Sequence, residues 1–169
     1  MSLSKRIFNI SNEDEFNSIA LEVFHFQYKN IPVYKKYVDL VKGRKENISH
    51  YKKIPFLPIN FFKNNNIVSR NSKVEKTFLS SGTGKINRSK HLVHDLKLYE
   101  QSFSSGYKYF YSDPKEWTIL ALLPSYLEQG DSSLIYMVDN FIHKSKFSQS
   151  NYINYDLKVF KDLILKLKD

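Results

Sequence analysis

Residues 76–91 read Lys76-Thr77-Phe78-Leu79-Ser80-Ser81-Gly82-Thr83-Gly84-Lys85-Ile86-Asn87-Arg88-Ser89-Lys90-His91. Lys76 to Leu79 has the composition of a short strand, and it runs straight into a Ser/Gly/Thr segment followed by a basic, polar stretch. Gly82 and Gly84 let the backbone take positive φ and approach a ligand with no Cβ in the way. Turn amides can then converge on an anion, with the hydroxyls of Ser80, Ser81 and Thr83 as further donors. Lys85, Arg88 and Lys90 add positive charge. These are the parts that hold a polyphosphate, although the same composition also suits an ordinary solvated turn. The segment is not a Walker A loop, because Gly84-Lys85 is followed by Ile86 where that motif needs Ser or Thr.

Outward from this loop, helical patterns lead and then alternate with strands. Ser11 is expected to cap a first helix with Glu13, Asp14 and Glu15 in its opening turn. Its buried stripe is Phe16, Ile19, Ala20, Val23, Phe24 and Gln27. Asn30-Ile31-Pro32 breaks that helix, and Pro32 opens a second through Tyr34, Tyr37, Val38 and Val41 up to Gly43. The prolines of Ile54-Pro55-Phe56-Leu57-Pro58 impose an extended segment, and Ile59 to Lys63 follows as a short helix. Ile67 to Ser69 is a further strand candidate. Asp95 caps a helix with Leu96, Tyr99, Phe103, Tyr107 and Phe110 on one face. After the Asp113-Pro114 turn, Trp117 to Leu123 reads as a buried strand, Asp131 to Lys144 as a helix, and Asp156 to Lys168 as the last. The pattern predicts an α/β domain with an incomplete sheet flanked by helices. A helical lead occupies residues 1–66 and a loop-bearing α/β part residues 67–169.

Composition narrows the chemistry. The 169 residues hold no cysteine, which removes disulfides, thiolate metal sites and a Cys nucleophile. The five histidines show no HExxH or similar spacing, and no metal site held by the protein alone is expected. No apolar run nears the roughly 18 residues of a membrane span, and the N-terminus lacks a signal-peptide core, so a cytoplasmic protein is expected. The formal net charge is +9, but the lysines are dispersed along the chain, and nucleic acid is not the expected partner. A positive field equally suits ATP or a fatty carboxylate.

The loop resembles the signature of the adenylate-forming superfamily, Ser/Thr-Ser-Gly-Thr-Thr-Gly with a downstream lysine. Within it, the chain is most similar to the N-terminal part of LuxE-type acyl-protein synthetases. The resemblance is carried by several blocks in family order: Ile54 to Lys63, then Ser80 to Thr83 with Ser89-Lys90-His91, then Asp95 with Leu98-Tyr99-Glu100 and Ser102-Phe103. Ile119 to Glu128 with Gly130 to Leu134 completes it, and Asn30 to Tyr34 resembles the start of phenylacetate–CoA ligases. One departure is local: Thr83-Gly84-Lys85 stands where the family commonly has Thr-Thr-Gly.

The resemblance implies an adenylate-forming fold and a two-step activation, in which ATP with Mg²⁺ and a fatty acid give an acyl-adenylate before transfer to a protein thiol for reduction to an aldehyde. Formation of the acyl-adenylate releases pyrophosphate. The resemblance implies ATP contacts from Ser80, Ser81, Gly82, Thr83, Gly84, Lys85 and Lys90. An acyl site would draw on His91, Pro124, Ser125, Tyr126, Ser132 and Ser133, with His91 equally suited to a structural role and Ser132 and Ser133 to capping a helix. The implied partners are a fatty acid or other carboxylic acid, an acyl-acceptor protein, and the remaining half of the enzyme if it is split. Two other classes stay open: an aryl- or acyl-CoA ligase-like fragment, and a non-catalytic basic binding module. Family members are longer, and their nucleotide-reading segment, ribose-binding acid and acyl-accepting cysteine have no counterpart here. The polypeptide alone is therefore expected not to catalyse ATP–pyrophosphate exchange with a fatty acid, and clear exchange would contradict that expectation.

Overall fold

Asn12, one place later than expected, caps the first long helix. The computed structural model describes residues 2–42, 47–80, 88–123, 130–153 and 157–166. In it, α1 is one turn over Leu3–Arg6 and α2 runs Glu13–Asn30. The Asn12 side chain accepts from the Glu15 N–H at 2.9 Å, and the Glu15 carboxylate accepts from both the N–H and the hydroxyl of Ser11. Ser11 thus closes a reciprocal cap from outside the helix, and its bonds hold the Glu15 carboxyl below its ordinary pKa. Arg6 grips the Glu22 carboxylate at 2.7 and 2.8 Å, tying α1 to α2.

Pro32 opens α3 over Pro32–Lys42, as its fixed φ and missing N–H favour. Phe24 on α2, Tyr34 and Val38 on α3, and Ile48 make one buried cluster. The Tyr34 hydroxyl donates to the Pro55 carbonyl at 3.0 Å inside it, and burial pushes the phenol up to about 12. That bond anchors the extended segment 54–58, which α4 follows over Phe61–Asn64. The whole expected stripe of α2 lines an apolar cavity of about 450 Å³, shared with Tyr34, Phe56 and Phe62 among others. Val41 departs from expectation: it is 54% exposed, because α3 packs through Tyr34 and Val38 and its last turn extends past that contact.

Ile67 to Ser69 is not a strand. The Arg70 N–H instead donates to the Asn30 carbonyl at 2.8 Å, so this stretch satisfies the end of α2 rather than a ladder. β1 is Lys76–Leu79, where the sequence placed it. Its partner, β2 over Lys90–Val93, was not foreseen; the two are antiparallel, with Phe78 opposite His91 and Leu79 opposite Lys90. Phe78 is 2% exposed. α5 spans Leu96–Tyr111, capped by Asp95, which accepts from the Leu98 N–H at 2.9 Å.

The chain divides into two compact units, Met1–Tyr99 and Glu100–Asp169. In the second, Phe103 and Tyr107 of α5 pack on Phe141 of α6, which runs Ser133–Lys144, with ring centroids 5.3 and 4.8 Å apart. The Tyr136 hydroxyl donates to Glu100 at 2.6 Å. Phe110, expected on the packed face, is 75% exposed. The strand expected over Trp117 to Leu123 contracts to β3, Leu120–Ala121. Its start is lost because the Trp117 indole N–H donates back to the Tyr111 carbonyl and Ser112 hydroxyl, holding the ring at the preceding turn. β3 pairs in parallel with β4, Asn151–Tyr152, and α6 connects them as a short βαβ unit. α7 covers Leu157–Lys166. The protein is broadly α/β with helix predominant, and among the described residues its strands form two separate two-stranded sheets. No helix among the described residues is long and apolar enough to cross a membrane.

Because Phe78 is the most deeply enclosed large side chain, Phe78→Ala should cost about 3–5 kcal/mol in urea unfolding. Val41→Ala should stay within about 0.5 kcal/mol. Equal losses would contradict the core described here.

Candidate functional site

The stem of the β1–β2 hairpin is locked beyond its ladder. The Ser80 N–H donates to the Ser89 carbonyl at 3.0 Å, and the Ser89 N–H donates to the Ser80 hydroxyl oxygen at 3.0 Å. The Arg88 Nε–H donates to the Ser80 carbonyl at 2.6 Å. Arg88 thereby acts on the stem as well as adding charge, a role the sequence did not disclose. The Ser80 hydroxyl accepts in this arrangement and keeps its own proton as a donor.

Three of the residues implied for the site stand on this stem: Ser80, Lys90 and His91. Ser81, Gly82, Thr83, Gly84 and Lys85 lie between its two ends in sequence, outside the described residues, as do Pro124, Ser125 and Tyr126. Ser132 and Ser133 belong to the second unit. Ser132 is the N-cap of α6, its hydroxyl accepting from the Ile135 N–H at 3.4 Å, and Ser133 is the first residue of that helix.

Neighbouring strand residues point to opposite faces, so Lys90 and His91 part company. His91 lies opposite Phe78, on the face that also buries Val93; Lys90 lies opposite Leu79 on the other face and is exposed. The His91 ring sits 6.4 Å from Phe78 and 6.1 Å from Tyr99, centroid to centroid. Burial of the ring lowers its pKa below the ordinary 6.5, although the residue keeps an exposed edge. His91 is thus an exposed residue whose ring approaches Phe78 and Tyr99 on one side, while Lys90 is an exposed cation on the other face.

A lysine ammonium and a serine hydroxyl each suit an anion oxygen, but Ser80, next to Leu79, lies by the same alternation on the face opposite Lys90. Among the described residues, no group of three His, Cys, Asp or Glu side chains is placed to hold a metal ion. Compared with protein-family models, curated proteins and solved structures, the chain matches none.

The lowered His91 pKa fixes a sign. The folded state binds this proton less readily than the unfolded chain, so the contribution is complete above pH 6.5 and is lost as pH falls through the folded value. An NMR titration should place the His91 midpoint below 6.5, and wild type should lose more stability than His91→Gln between neutral and mildly acidic pH. A midpoint above 6.5 would contradict the packing described.

Proposed function

We propose that this chain serves the ATP-dependent activation of a carboxylic acid, a fatty acid foremost, through an acyl-adenylate, as the N-terminal part of an adenylate-forming acyl-protein synthetase. The observation that carries the reading is the hairpin stem. It bonds Ser80 to Ser89 and to Arg88, the described residues on either side of positions 81–87, and pairs Lys90 with Leu79. The sequence blocks that resemble the LuxE-type family supply the substrate class.

The physical demand of such a reaction is charge management. A carboxylate attacks an α-phosphate that is itself anionic, and the attack needs both neutralisation and alignment. Mg²⁺ supplied with ATP would offset part of that charge. On the protein side, Lys90 offers a cation and Ser80 a hydroxyl donor. Arg88 holds Ser80 in the stem through its bond to the Ser80 carbonyl. The resemblance makes the acyl acceptor a protein thiol, and these 169 residues supply none.

Titration of Mg·ATP into the polypeptide should show saturable binding. Lys90→Ala and Ser80→Ala should each weaken it about tenfold, in line with the loss of one charge-assisted contact. Lys36→Ala, on α3, should leave it unchanged. Absence of saturable binding, or equal effects from all three substitutions, would remove the reading.

A further inference from the structure

Residues 47–74 contain no Asp or Glu but five cations: Lys52, Lys53, Lys63, Arg70 and Lys73. Within this one-signed stretch, the extended segment after the Tyr51–Lys53 turn carries two bulky apolar side chains into solvent. Phe56 is 76% and Ile59 74% exposed. Phe56 is not loosely attached. Pro55 is buried, and its carbonyl accepts the Tyr34 hydroxyl at 3.0 Å, while Phe56 also lines the apolar cavity beneath. Lys52, Lys53 and Lys63, on either side of the pair, are all exposed. The Lys52 ammonium lies 5.7 Å over the Tyr51 ring, which keeps its charge near the segment.

We propose that this segment docks the protein on an anionic lipid surface, with Phe56 and Ile59 entering the headgroup–acyl boundary and the flanking lysines meeting the lipid phosphates. Apolar insertion and electrostatic attraction add in such binding, and each basic residue near an anionic surface contributes separately. The lysines decide against a protein partner, since protein–protein interfaces are depleted in lysine. Ile59 decides against single-stranded nucleic acid, which is held by aromatic stacking platforms that an isoleucine cannot provide. The proposal is independent of ATP binding at the hairpin, which lies outside this segment.

Co-sedimentation of the full 169-residue chain with vesicles tests it, using phosphatidylcholine alone and phosphatidylcholine mixed with phosphatidylglycerol. Binding is expected only to the mixed vesicles and should fall as salt rises. Ile59→Ser, at a site outside the core, should weaken it about tenfold, and the double change Lys53→Glu with Lys63→Glu about a hundredfold or more, each with the circular dichroism spectrum unchanged. Equal binding to both vesicle types, no binding, or indifference to both variants overturns the proposal. So does self-association or single-stranded RNA binding that Ile59→Ser abolishes while vesicle binding persists, because the exposed pair then serves a second copy or a nucleic acid.

Discussion

Burial of Phe78 sets the geometry on which the candidate site depends. Its ring lies 5.2 Å from that of Tyr99 and faces His91 across the hairpin, and its 2% exposure leaves no room for an alternative orientation of β1. Side chains alternate strictly along a strand, so a slip of one residue would turn Phe78 to the other face. The same slip would break the Ser80–Ser89 exchange and carry Lys90 away from the open end. An apolar contact thus decides where a cation stands.

How much of this was legible in the sequence depends on how local each signal is. Pro32, the Asp95 cap and the α6 start at Ser132 and Ser133 were readable because a cap or a proline acts within one helical turn. β1 was readable because Phe78-Leu79 runs directly into a turn signal. β2 was missed because, with the same share of polar residues, Lys90-His91-Leu92-Val93 follows a basic, polar stretch with no such signal after it and becomes a strand only by pairing with β1. β4 is shorter still, and it is positioned by donors from outside it. The Ile119 N–H donates to the Ser150 hydroxyl at 3.0 Å, and that hydroxyl in turn meets Ser145 at 2.7 Å. Such pairing between distant segments leaves no periodicity to read.

The same division holds at the site. The chemistry of Ser80 and Lys90 could be read from residue type, but their arrangement could not. That Lys90 and His91 occupy opposite faces follows only once β2 is known, since a loop would let both approach one ligand. Likewise the stripe of α2 was plain, whereas its use in lining a cavity with Phe56 and Phe62 requires the extended segment held by Tyr34. Exposed Val41 and Phe110 make the complementary point: helical spacing names a face, but only the partner element decides how far along the helix that face is covered.

The proposed reading puts phosphate oxygens at the stem of this hairpin, beside Ser80 and Lys90. Following backbone amide resonances during addition of Mg·ATP tests it most directly. The largest shifts are expected at Ser80, Ser89 and Lys90, with the amides of α6 unmoved. Shifts centred elsewhere, with the stem amides unchanged at saturation, would contradict it.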